Sequence, residues 1–206
     1  MTYQFTNNWF EDTTLPMWKE LLTSLKPQRI LEIGSYEGAS ACGAIRILSA
    51  QEKLEIHCVD TWGGGENPVN KLANMSEVEE RFDRNLKLAM DETQTEIALQ
   101  KWKLTSDEAL TGLYTSGKAE YFDFIYVDGA HQAPQVLSDA ILSFKLLRAG
   151  GVIGFDDYLW TEAGVAKHNL LRGPKVSIDA FTNIFHDETK HILGRNHQVY
   201  LQKIGR

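Results

Sequence analysis

Apolar positions along the chain switch between a period near 3.6 and short continuous runs, and the switches mark out alternating helices and strands. Leu15, Trp18, Leu22 and Leu25 share one face of a helix expected over Pro16–Lys26, with Thr13 or Thr14 as cap and Pro27 as stop. Arg29–Ile33 is a first strand, Ala39–Ala50 a helix with Ala41, Ile45 and Leu48 inward, and Leu54–Asp60 a strand that begins apolar and ends in an acid. Trp62-Gly63-Gly64-Gly65 and Asn67-Pro68 break the pattern. Ser76–Met90 is then a charged helix with Val78, Phe82, Leu86 and Ala89 on its apolar face. A third strand falls within Glu96–Leu104, and a helix capped by Thr105 or Ser106 covers Ser106–Thr115. Phe122–Val127, apolar except for Asp123, reads as a central buried strand. Pro134–Leu147 is a long helix ended by Ala149-Gly150-Gly151, and Val152–Phe155 the next strand. Helical signals follow at Glu162–Leu171 and Ser177–Phe185. Two short strands around Gly194-Arg195-Asn196 form a hairpin between His191 and Ile204.

Strands alternating with helices predict an α/β fold with a parallel sheet covered on both faces, and the closing hairpin adds an antiparallel strand at an edge. The chain of 206 residues suffices for one such core and is short for two, so residues 1–206 are expected to form a single domain. The net charge of -7 gives little attraction to a polyanion, which argues against nucleic acid as a partner. Cys42 and Cys58 lack metal-ligand spacing and suit buried free thiols in a reducing compartment. Met1–Thr14 has no basic or apolar leader pattern, and no apolar run approaches membrane-spanning length. These features predict a soluble, cytoplasmic protein. The first helix and the edge hairpin are both candidate homodimer surfaces, and the sequence does not choose between them.

The turn after the first strand narrows the chemistry. Gly34-Ser35-Tyr36-Glu37-Gly38 lacks the Gly-x-Gly-x-x-Gly spacing that lets a backbone approach a pyrophosphate. A tyrosine stands where bare backbone is needed. The turn suits a nucleoside with no phosphate to cradle, such as S-adenosylmethionine.

In open parallel sheets, ligands bind outside the carboxyl ends of the strands. Those ends carry Glu32 and Gly34, Asp60, Asp128, and Asp156 with Asp157, while the third strand delivers Thr105, Ser106 and Asp107. Each acid alone is as well explained by a helix cap or a solvated loop. Together, like charges at one edge need hydroxyl groups to bond or a cation among them. Asp60 suits the vicinal hydroxyls of a ribose. Asp128, Asp156 and Asp157 offer the hard oxygens that Mg²⁺ or a similar cation takes. His131 precedes the helix that opens at Pro134 and is either a crevice-facing base or a surface histidine bonded to a helix end.

Leu31-Glu-Ile-Gly-Ser-Tyr-Glu-Gly-Ala-Ser40 resembles the first motif of the class I S-adenosylmethionine-dependent methyltransferases, above all the catechol O-methyltransferase-like branch. Val59-Asp60-Thr61-Trp62 is similar to that family's ribose turn. Phe122–His131 and Leu147–Tyr158 resemble its next two blocks, and the same order recurs in macrolide sugar O-methyltransferases. The resemblance implies a Rossmann-like, doubly wound, mostly parallel seven-stranded sheet of order 3-2-1-4-5-7-6 with strand 7 antiparallel. It implies cofactor contacts from Glu32, Gly34, Ser35, Gly38, Ser40, Asp60, Thr61, Trp62, Ser106, Asp107 and Asp128, with Ser106 and Asp107 at the adenine. It implies a divalent metal, expected to be magnesium, on Asp128, Asp156 and Asp157. His131 stands where catechol-type enzymes carry a lysine base and the sugar enzymes a histidine, and Asp157 replaces an asparagine. His131 and Asp128 are therefore the expected catalytic residues.

The reaction implied is methyl transfer to a hydroxyl of a small-molecule acceptor, with the methyl already activated by the cofactor and the proton passing to His131. Residues 1–27, around Trp9 and Phe10, and the loop from Trp62 to Asn74 are candidate lids; Trp9 and Trp18 equally suit anchors for the first helix. Two other classes remain: an oxidoreductase resembling the cephalosporin hydroxylases, which share a similar sheet and metal pattern, and a non-catalytic cofactor-binding protein.

Overall fold

The computed structural model describes residues 2–64, 73–162, 169–192 and 197–205. Seven strands form a sheet of order β3-β2-β1-β4-β5-β7-β6, the order expected, and the chain folds as two compact units, Met1–Lys103 and Leu104–Arg206.

In the first unit a single π-type turn, Phe10–Thr14, leads into α1 (Leu15–Leu25), followed by β1 (Arg29–Ile33), α2 (Ala39–Ile47), β2 (Lys53–Asp60), α3 (Met75–Asp91) and β3 (Glu96–Lys103). β2 runs parallel to both β1 and β3, with Glu32 level with Cys58 and Asp60 level with Lys103. α1 ends because Lys26 turns left-handed, at φ 47°, before Pro27. Its buried side chains are Met17, Trp18, Leu21 and Leu22. The buried face is therefore rotated from the expected one, and Leu15 and Leu25 lie at its margins. α3 buries Val78, Phe82, Leu86 and Ala89, as the pattern predicts, and also Asn85. Asn85 is held inside by bonds from its amide to the Gln4 and Glu37 carbonyls and to its oxygen from the Gln4 N–H.

The second unit holds α4 (Ser106–Thr115), β4 (Phe122–Val127), α5 (Ala133–Leu146), β5 (Leu147–Phe155), α6 (Lys175–Ile184), β6 (Thr189–Ile192) and β7 (Val199–Lys203). Thr105 and Glu108 form a reciprocal capping box at the start of α4. β4 and β5 are parallel, and β7 is antiparallel to both β5 and β6. The polar break in β4 is explained by Arg148, whose Nε lies 2.5 Å from the buried Asp123 carboxylate.

One expectation about elements changes. Ala149-Gly150-Gly151 does not separate α5 from the next strand: β5 starts directly at Leu147, and the glycines sit inside it. The pairing jumps from Phe122↔Leu147 to Phe124↔Val152, and Gly150 takes φ 77°, a conformation open to glycine at this irregularity. In the stretch read as Glu162–Leu171, residues 163–168 lie outside the described residues, and Leu170–Arg172 is a single 3₁₀ turn. The Gly194-Arg195-Asn196 turn also lies outside them, while the two strands flanking it pair as expected. Cys42 and Cys58 are buried and free. No helix among the described residues is long and apolar enough to cross a membrane.

Candidate active site

The first unit carries the glycine turn. β1 ends in Glu32 and Ile33, and the chain turns through Gly34 and Tyr36, both at positive φ, into α2. The buried Glu32 carboxylate accepts a bond from Ser35 Oγ at 2.6 Å and another from Ser40 Oγ. Its pKa is nonetheless raised, because burial outweighs the serine bonds. Asp60, at the carboxyl end of β2, reaches back to the same turn. Its Oδ2 accepts from the backbone N–H groups of Ser35 at 3.1 Å and Tyr36 at 2.9 Å, and its Oδ1 from Trp62 N–H at 2.7 Å. Burial also raises the Asp60 pKa, against these backbone bonds. The Gly34 N–H donates to the Val59 carbonyl and the Gly38 N–H to the Ser35 carbonyl.

Gly38 opens α2 at φ 78°, and a Cβ there would lie 2.3 Å from Leu86 Cδ2. Only glycine lets the turn sit this close to α3. Glu37 is buried as well and accepts from Thr6 N–H, Thr6 Oγ1 and Arg81 Nε, which ties the amino-terminal segment to the turn. These Glu37 contacts were not read from the sequence; the one hint was an acid inside a turn that must close over a helix.

The candidate lids divide. Trp62 is buried, donates from Nε1 to the Tyr36 carbonyl at 2.9 Å, and lies 4.8 Å from the Phe82 ring, so it anchors the turn and does not swing over an acceptor. Thr61 is exposed, with its hydroxyl oxygen accepting from Gly63 N–H. Residues 65–72 of the same loop lie outside the described residues. Phe10 and Trp18 meet edge to face in the core, while Trp9 is exposed beside Tyr36 at 5.9 Å.

The second unit carries the acids that follow β4 and β5. Asp128 and His131 come from the turn between β4 and α5, and Asp156 and Asp157 from the end of β5. Ligand atoms of Asp128, His131 and Asp157 all lie within 4.8 Å of one another. His131 Nε2 is 2.5 Å from Asp157 Oδ2, and its ring stacks on Trp160 at 4.3 Å. Asp128, His131 and Asp157 line a small cavity with Ala130, Val136 and Pro174. Asp156 also borders it, but its oxygens are engaged elsewhere. Oδ2 accepts from Tyr126 O–H at 2.5 Å, and Oδ1 from Asp157 N–H at 2.8 Å and Gln198 Nε2 at 3.3 Å. Gln198 in turn accepts from Tyr200 O–H. Burial, and then the neighbouring Asp157 charge, raise the Asp156 pKa. The sequence reading missed Tyr126, Gln198 and Trp160. Strand alternation holds the signal for Tyr126, since Phe124, Tyr126 and Asp128 fall on one face at a period of two.

Ser106 and Asp107 begin α4. Gln135 Nε2 of α5 lies 3.3 Å from Ser106 Oγ and 3.2 Å from Asp107 Oδ2, and Ser138 Oγ donates to Asp107 Oδ1 at 2.5 Å.

The chain resembles known proteins in sequence and in fold. The chain is similar to a probable caffeoyl-CoA O-methyltransferase 3 of Dictyostelium discoideum, at 27% identity over 150 residues, or 72% of this chain. Those residues span about half of that relative, 51% of its length. Among solved structures, an SAH-bound Podospora anserina methyltransferase, PaMTH1, aligns with a TM-score of 0.62 at 18% identity, covering 93% of this chain and 78% of that one. A Bacillus cereus O-methyltransferase in complex with SAH aligns at 0.61 and 18% identity, covering 98% and 84%. At these identities the two structures speak for the fold. The model of the family described as "Methyltransferase domain" matches residues 31–158, more than half of the sequence and from the glycine turn through the acids after β5, and the chain belongs to that family.

Proposed function

We propose that the protein transfers the methyl group of S-adenosylmethionine to a hydroxyl of a small molecule with the help of a divalent cation. The observation that carries this reading is how the turn amides are used. A dinucleotide pyrophosphate needs free N–H groups at the turn after β1. Here Asp60 takes the Ser35 and Tyr36 amides, and a carboxylate stands where a phosphate would come. An adenosyl ligand without phosphates meets no such repulsion, and its positive sulfonium and ammonium suit the buried Glu32. Family membership and the SAH-bound structures of the same fold support the reading.

In this reading Glu32, Gly34, Ser35 and Ser40 border the methionine end, with Gly38 setting the turn. Asp60, with Thr61 and Trp62, takes the ribose. Ser106 and Asp107 take the adenine, and Asp128 belongs to both the cofactor and the metal. Asp128 and Asp157 fit a hard or borderline divalent cation by the chemistry of their oxygens. Such a cation, when bound, would lower the pKa of the acceptor hydroxyl. The acceptor's proton leaves through the Asp128–His131–Asp157 group, and orientation of the acceptor supplies much of the remaining rate. Two buried free thiols accord with a reducing, cytoplasmic setting.

Calorimetric titration with S-adenosylmethionine, SAH and NAD tests this. Micromolar binding of both adenosyl ligands without NAD is expected, and Asp60→Asn should weaken it. Equal binding of NAD, or no adenosyl binding, would refute the proposal.

A further inference from the structure

We propose that His131 is a ligand of the cation, beside Asp128 and Asp157, and that this mixed nitrogen and oxygen set favours a first-row transition-metal ion such as Mn²⁺ or Co²⁺ over Mg²⁺. The inference rests on the metal-assisted reading above and replaces the all-carboxylate set that the sequence suggests. Around one ion at about 2.1 Å, neighbouring ligand atoms lie roughly 3–4 Å apart. The atoms of Asp128, His131 and Asp157 gather to within 4.8 Å, and His131 Nε2 and Asp157 Oδ2, in direct contact at 2.5 Å, would part by about half an ångström or more to take one ion between them. Asp156 is held away from this duty by three donors, Tyr126 O–H, Asp157 N–H and Gln198 Nε2. To turn outward it would have to leave them. Asp157 sits in the left-handed region at φ 57° with its N–H bonded to Asp156, so the two adjacent acids are fixed in different roles. Asp156 is a positioning residue for the turn, and Asp157 is the ligand.

Charge leads to the same set. Two carboxylates and a neutral imidazole balance a dication, whereas three carboxylates would leave an excess negative charge. Affinity of a mixed nitrogen and oxygen site rises along the first-row ions from Mn²⁺ to Co²⁺, whereas Mg²⁺ prefers oxygen and keeps its waters. Trp160, stacked on the His131 ring at 4.3 Å and 25°, supports the ring from one face. A histidine whose lone pair is on the ion cannot also take the acceptor's proton. That proton then leaves by way of the second carboxylate oxygen of Asp157, whose side chain is 30% exposed.

The test uses chelator-treated full-length protein titrated with MnCl₂, CoCl₂ and MgCl₂, with pulsed EPR of bound Mn²⁺ to detect nitrogen coupling. Wild type should bind Mn²⁺ more tightly than Mg²⁺ and show the coupling. His131→Ala should lose it and bind Mn²⁺ roughly a hundredfold more weakly, while Asp156→Asn should keep it and lose about tenfold. Bound Mn²⁺ without nitrogen coupling, equal Mg²⁺ and Mn²⁺ affinity, or coupling that survives His131→Ala would overturn the assignment. Should His131→Ala fail to fold, the wild-type spectrum decides alone. A parallel SAH titration separates the two readings. SAH binding without nitrogen coupling overturns the histidine ligand and leaves methyl transfer standing; coupling without SAH binding does the reverse.

Discussion

The turn of the first unit and the acid group of the second treat carboxylates in opposite ways. Glu32, Glu37 and Asp60 are each bonded by donors from within the unit: two serines, Thr6 with Arg81, and three backbone amides. Asp128 and Asp157 instead gather with a histidine around a small cavity. The first arrangement is a preformed crevice that needs no ion to hold its shape. The second concentrates negative charge that a cation or a protonated imidazole would offset. The lesson is that acids at strand ends are not one signal. Those that close a turn build a shape, and those that face one another build a binding demand.

The sharpest break in that comparison is Asp157→Asn. Removing one ligand should weaken cation binding roughly a hundredfold while SAH affinity and the melting temperature hold. Calorimetry with MnCl₂ and then SAH reads both, and a matching fall in SAH affinity would mean that the two groups are not independent. Next is Gly38→Ala. Its Cβ would meet Leu86 at 2.3 Å on a backbone at φ 78°. Overpacking with left-handed strain should cost about 2–4 kcal/mol, read as a lower urea midpoint with unchanged slope.

How far the sequence carried these sites follows from the range of the forces involved. The strand limits Arg29–Ile33 and Phe122–Val127 were legible because a buried strand is written in contiguous residues. The sheet order came from the resemblance of four motifs, not from periodicity. The β5 start was missed because Ala149-Gly150-Gly151 looks like a helix stop, and only pairing with β4 makes it a bulged strand. The acids at strand ends were legible, but which of them face one another was not. Whether Asp156 or Asp157 turns toward the cavity depends on Tyr126 and Gln198, 30 and 42 residues away in sequence.

Glu32→Gln sharpens the claim that the first unit awaits a cationic ligand. Loss of the charge should weaken S-adenosylmethionine binding roughly tenfold or more, the usual worth of a charged hydrogen bond. The apo protein should move the other way. Burial raises the Glu32 pKa, so between its ordinary value and its folded value the native state keeps a proton that the unfolded chain has released. Stability therefore falls as pH rises through that window, and Glu32→Gln should remove the fall. Denaturant melts of both proteins at acid and neutral pH check the sign.

The smallest expected effect asks whether every buried acid of the second unit belongs to the cation-binding demand. Asp139 is fully buried on α5, neither of its oxygens has a hydrogen-bond partner at normal geometry, and burial pushes its pKa from 3.8 up to about 6. Ser106 and Gln135 oppose the shift only in part. Between these two values the native state holds a proton that the unfolded chain lacks, so stability drops as pH rises from about 4 to 6 and stays low above that. Asp139→Asn has nearly the same shape and no charge to bury. It should match wild type at the acid end and exceed it by about 1–2 kcal/mol at neutral pH, less than the full shift because the amide must still be buried. Urea melts across this range decide the point. A gap that grows through the window with no change in Mn²⁺ affinity places Asp139 outside the metal group. A gap that ignores pH would mean that its charge is not what the fold resists, and weakened Mn²⁺ binding would extend the group into α5.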